Sequence, residues 1–156
     1  MCNNVEMFGK TYLFLIALLV LMLAIHAAAV GGLLGYGLWW LDIVLHFLGG
    51  IWLAVLAFWF LFEYKEFPSD FLPKWLLGLG LISFVMLGGV FWEFFEFSWD
   101  YFIARPYGAI LAQPDLADTM SDLFFDFAGA VVAAAYFLRY YRFGYGEYGL
   151  NSEKPN

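Results

Sequence analysis

The chain has 156 residues, 64% of them hydrophobic and 23% aromatic, with 13% charged and a net charge of −7. A soluble domain is roughly a quarter charged and about half apolar, so this is membrane composition. A negative balance without a basic patch excludes a nucleic-acid binder, which needs Lys and Arg to hold phosphates. The lone Cys2 excludes an internal disulfide, a thiolate zinc site and an iron–sulfur cluster.

A membrane-spanning helix needs about 20 predominantly apolar residues, and the chain offers four such runs, at about 11–30, 39–62, 75–99 and 121–140. The first runs from Thr11 to Val30 with His26 as its one interruption; Lys10, the apolar stretch and Ala27-Ala28-Ala29 give it a rival reading as a cleaved signal. The second runs from Trp39 to Phe62, the third from Trp75 to Trp99, and the fourth from Ser121 to Tyr140. Pro68, Pro73, Pro106, Pro114 and Pro155 all fall outside the runs, where helix breakers belong. The alternating segments of ~10 residues that a closed β-barrel needs are absent. The expected fold is all-α: one transmembrane domain over 1–156, a polytopic bundle of four helices in the cell membrane, with 141–156 as a cytoplasmic tail.

Lys and Arg concentrate on the cytoplasmic side of membrane proteins. Lys10, Lys65, Lys74, Arg139, Arg142 and Lys154 share one side of a four-span serpentine, with Arg105 alone on the other. Both termini are therefore expected in the cytoplasm. Trp39, Trp40 and Trp99 then mark the outer interface, and Trp59, Trp75, Tyr140 and Tyr141 the inner one.

With this topology, ionisable residues from all four runs arrive near the outer face: His26, Asp42, His46, Glu93, Glu96, Asp100, Asp118, Asp122 and Asp126. A carboxylate at mid-bilayer costs roughly 2.5–3.5 kcal/mol on insertion scales, so such residues normally mark function. Their spacing puts them on common faces. Asp42 and His46 are four apart; Glu93, Glu96 and Asp100 form one stripe; Asp118, Asp122 and Asp126 form another. Gly49, Gly50, Gly89 and Gly129 lie on the same faces and favour close helix approach, so the polar faces point inward. The same Gly/Ala-rich faces offer a route to a homo-oligomer. Simpler roles exist for some of the set: Asp42 and Asp118 as helix N-caps, Asp100 in interfacial water, His26 as a packed histidine, Arg105 as a solvated loop residue or a partner to one acid.

Deep carboxylates beside an imidazole, without thiolates, suit a divalent cation. Oxygen ligands favour Mg, Mn and Ca, and imidazole shifts the preference toward Zn, Mn or Fe, which the sequence does not distinguish. The expected ligands are His46, Glu93, Glu96, Asp122 and Asp126, with His26, Asp42, Asp100, Arg105 and Asp118 as supporting candidates. A membrane hydrolase acting on an envelope or lipid substrate is the leading expectation. Alternatives are proton sharing or cation transport, since crowded carboxylates cannot all ionise in low dielectric, and a non-catalytic accessory subunit. Transport needs a matching polar group in the inner half, where Ser83 is the nearest candidate.

Three stretches carry a family resemblance: Leu41-Asp42-x-x-x-His46-x-x-Gly49, Trp92-Glu93-x-x-Glu96, and Asp118-Thr119-x-x-Asp122-x-x-x-Asp126-x-x-Gly129-Ala130. The chain resembles the YjdF-like bacterial membrane proteins and, more distantly, the VanZ-like proteins. VanZ-like chains show Asp-Lys-x-x-His, Glu-x-x-Gln and Asp-x-x-x-Asn before a Gly. Here Ile43 stands for the Lys, Glu96 for the Gln and Asp126 for the Asn, which makes the site more acidic and favours the YjdF-like side. The resemblance covers the second to fourth runs. It implies a multi-pass membrane protein, and the link of VanZ-like proteins to glycopeptide (teicoplanin) resistance points to the cell envelope.

Overall fold

A computed structural model describes residues 2–30, 33, 39–67 and 72–140, with side chains for 10–29, 33, 40–67 and 72–139 of these. The tail at 141–156, with Tyr141, Arg142 and Lys154, lies outside the described residues, as does Pro68. Among the described residues helix is the only regular secondary structure, with no strand. The helices are α1 (Cys2–Val30), α2 (Trp39–Phe58), α3 (Lys74–Trp99) and α4 (Leu116–Tyr140). With the helical turns that continue two of them, they form four segments long and apolar enough to cross a membrane: Lys10–Ala29, Trp40–Tyr64, Lys74–Tyr107 and Leu116–Arg139. Large apolar side chains such as Trp75, Phe91, Phe94, Phe95 and Phe124 point outward, the pattern of a bundle solvated by lipid.

Two helices run past their expected ends. α2 continues as a π-helical turn, Trp59–Tyr64. α3 continues through a second π turn, Asp100–Ala104, into a helical turn at Arg105–Tyr107. Pro106, expected in a connection, therefore lies inside that last turn. The π turn has already moved the backbone bonding pattern, Arg105 N–H donating to Asp100 O, and Pro106 follows where its missing N–H is tolerated. Gly108, in the left-handed conformation at φ 65°, ends the helix.

α2, α3 and α4 form the tight core of the bundle. Gly129 of α4 faces Phe47 and Ile51 of α2, and Gly50 faces Asp126. His46 meets Asp122 and Asp126 near the start of both helices and Phe58 meets Phe137 farther along, so α2 and α4 run parallel. Gly88 meets Leu53, and Gly78 meets Leu138, so α3 runs antiparallel to both. A Cβ at Gly50 would collide with the Asp126 backbone, and one at Gly129 with the Phe47 carbonyl. Glycine at these two positions lets α2 and α4 touch backbone to backbone. Below them Ala54, Val55, Val85, Ala130 and Ala133 close one apolar layer, and Phe58, Phe62, Leu77, Leu81 and Ala134 a second. The small-residue faces are thus packed inside the chain. α1 lies on α2 through buried Leu15 and Leu18, with Trp52 Nε1 donating to Leu15 O at 2.9 Å.

Candidate metal centre

The topology brings the start of α2, the end of α3 and the start of α4 to the same end of the bundle. Four ligand atoms converge there. One atom each from His46, Glu93, Glu96 and Asp122 lie within 4.8 Å of one another, and all four residues are buried.

His46, Glu93 and Glu96 are each held by one atom and leave another pointing inward. His46 Nδ1 lies 3.4 Å from Asp126 Oδ2, which turns Nε2 toward Asp42 Oδ1 at 3.8 Å and Asp122 Oδ2 at 4.0 Å. Glu96 Oε1 accepts from Trp92 Nε1 at 2.8 Å, one helical turn away. Glu93 Oε2 and the Glu93 backbone carbonyl both accept from Gln113 Nε2, and Thr119 adds a hydroxyl beside the same carboxylate. The remaining oxygens, Glu93 Oε1, Glu96 Oε2 and Asp122 Oδ2, are buried without a hydrogen-bond partner, and so is Asp118 Oδ2. Buried polar atoms are otherwise almost always satisfied. A cation fits such a set: the donors are hard oxygens and one imidazole, and His46, Glu93 and Glu96 are oriented by outer hydrogen bonds, as metal ligands usually are.

Asp126 stands apart from the four converging atoms. Its carboxylate contacts the far side of the His46 ring and packs against Gly89, so it orients the histidine. The spacing of α4 put it on the right face; only the structure shows which ring nitrogen it takes.

The supporting candidates divide. Asp42 and Asp118 do come to the site, where one oxygen from each lies within 4.8 Å of the other and of Asp122. The N-cap role considered for Asp118 belongs to Asp115, whose Oδ1 accepts from the N–H of Ala117 and Asp118 at 2.8 and 3.1 Å. Asp100 does not sit in interfacial water. It is 2% exposed and accepts the backbone N–H of Ala112 and Gln113, both at 2.8 Å. It thereby pins the connection before α4 back onto α3, which carries the Gln113 amide to Glu93. Arg105 is exposed and makes no ion pair among the described residues; the ion-pair contacts at the cluster run through His46. His26 is exposed on α1 and makes no hydrogen bond or ion pair with the cluster.

Three participants escaped sequence reasoning. Gln113 is an uncharged loop residue with no sequence signal. Asp115 had one, a carboxylate directly after Pro114 and before the helix. Glu63 falls just past the expected end of the second run, and it accepts from Thr11 Oγ1 at 2.9 Å at the opposite end of the bundle. Ser83, the inner-half polar candidate, is exposed.

Buried acids at one end of a lipid-facing bundle define an integral membrane protein with an internal polar site, and the family agrees. Residues 5–143 match the family described as "Predicted membrane protein (DUF2238)", and the chain belongs to it. No curated protein and no solved structure matches the chain.

Proposed function

We propose that this DUF2238 protein binds a divalent cation at His46, Glu93, Glu96 and Asp122, and that it is a membrane hydrolase working on an envelope or lipid substrate. The observation that carries the reading is the convergence of one imidazole and three carboxylates, buried and with free oxygens facing one another. One imidazole cannot balance these acids in low dielectric, and a cation can. When bound, such a cation polarises a substrate oxygen or activates water. His46 and the two glutamates hold it, Asp126 orients His46, and a carboxylate not engaged as ligand serves as base.

The Lys and Arg distribution supports a site on the extracytoplasmic side, with both termini in the cytoplasm. Kinship with YjdF-like and, distantly, VanZ-like proteins rests on the motif residues in α2 to α4 and favours an envelope substrate. Transport is the weaker reading. Glu63 and Thr11 supply a polar pair at the far end, but two apolar layers, from Ala54 and Val85 to Phe58 and Leu81, lie between it and the acids.

Elemental analysis of detergent-purified protein, with and without Asp122→Asn, tests the cation. A stoichiometric divalent metal in the parent, reduced in the variant, supports the reading; a metal-free parent that takes up none on titration overturns it. Incubation with extracted envelope lipids before and after chelation tests the hydrolase. A chelator-sensitive product is expected, and lipids that come through unchanged in both arms overturn that activity.

A further inference from the structure

Asp122 belongs to two clusters at once. One of its oxygens joins His46, Glu93 and Glu96; one also joins Asp42 and Asp118, again with every ligand atom within 4.8 Å of the others. The residue is 1% exposed, and its Oδ2 has no hydrogen-bond partner although it is buried. Asp118 Oδ2 is in the same condition. Helix capping does not account for it, because Asp115 already serves the first backbone N–H groups of α4. Asp42, four residues before His46, completes this second group from α2, with its side chain 39% exposed.

We propose that the site holds two divalent cations, the second bound by Asp42, Asp118 and Asp122, with the Asp122 carboxylate bridging the pair. The inference rests on the reading of the first cluster as a cation site. A carboxylate has two oxygens and can give one to each of two cations, which explains why a single buried aspartate faces both groups. The two positions differ in chemistry. The first includes an imidazole and is enclosed by buried side chains; it suits Zn, Mn or Fe. The second is all oxygen and opens toward the surface through Asp42, so it suits a hard cation such as Mg or Mn that keeps waters in its shell. The inner cation is retained and the outer one exchanges with solution. His46 Nε2, between Asp42 and Asp122, sits at the boundary of the two positions.

Mn²⁺ serves both positions, and paramagnetic resonance reports whether two ions share a bridge. The full chain, purified in detergent and stripped by chelation, is titrated with Mn²⁺. The expected result is two Mn²⁺ per chain with an exchange-coupled spectrum. Asp118→Asn, and independently Asp42→Asn, should each give one tightly held Mn²⁺ with an isolated-ion spectrum and unchanged inner affinity. Glu96→Gln should weaken the inner ion. One Mn²⁺ in the parent, indifferent to Asp118→Asn and Asp42→Asn, overturns the second site and leaves the first standing. Two ions without coupling overturn the bridge. No bound Mn²⁺ at all overturns both readings together.

Discussion

The two ends of the bundle are made from the same helices and differ in what fills them. At one end α2, α3 and α4 meet through Phe58, Phe62, Leu77, Leu81 and Ala134, with the Phe58 ring stacked on Phe137 at 3.8 Å. At the other they meet through His46, Glu93, Glu96, Asp122 and Asp126, as deeply buried but with free carboxylate oxygens. In lipid there is little hydrophobic gain from joining helices, so the apolar end coheres by packing alone. The polar end cannot cohere that way: its acids repel, and burying them costs energy unless something balances their charge. The apolar end should therefore be indifferent to cations, and the polar end should depend on them.

The largest expected effect lies in the apolar half. Phe58→Ala leaves a cavity against Phe137, and should cost toward the lower end of ~3–5 kcal/mol, because packing is lost without a water-transfer term. Equilibrium unfolding in mixed micelles should give the same loss with and without chelator; a chelator-dependent loss would mean that the halves are coupled.

Gly129→Ala attacks the seam that joins the halves. The added Cβ meets the Phe47 backbone, so overpacking should cost about 1–3 kcal/mol. It should also weaken cation uptake, because the seam sets the distance from α4 to His46. Normal uptake in a destabilised variant would separate the seam from the site.

A similar effect, smaller where water reaches the freed group, is expected at Asp100. Asp100→Asn keeps the shape and removes one of two acceptors for Ala112 and Gln113, at about 1–3 kcal/mol for the orphaned group, less if water reaches it. Amide hydrogen exchange should rise at Ala112 and Gln113 and stay unchanged at Phe58. Faster exchange spread through α2 would show that Asp100 supports the whole bundle.

His26→Ala is the smallest change and the control. It removes an exposed side chain, and stability should move by no more than ~0.5 kcal/mol. A large loss of bound metal would place His26 in the site after all.

The four spans were legible because length and apolarity are sufficient evidence for a membrane helix. The acid stripes were legible because topology and helical spacing brought Glu93, Glu96 and Asp122 to the level of His46. What escaped depends on the path of the loop. Asp100 looked like an interfacial acid, and only the fold of 108–115 shows that it grips two backbone amides. Gln113 has no periodic face to reveal it. Asp126 shares its stripe with Asp122, yet one takes Nδ1 of His46 and the other faces Nε2, a difference of rotation that spacing does not resolve.

The most direct test of the central claim is a pair of thermal melts, parent and Asp122→Asn, each with metal and after chelation. A cation bound at ~100 times its dissociation constant stabilises by about 2.7 kcal/mol, which at ~2–4 °C per kcal/mol is a fall of roughly 5–10 °C in the parent on chelation. Asp122→Asn should melt lower than the parent in metal and change little on chelation. Identical, metal-independent melting of both proteins would contradict the account.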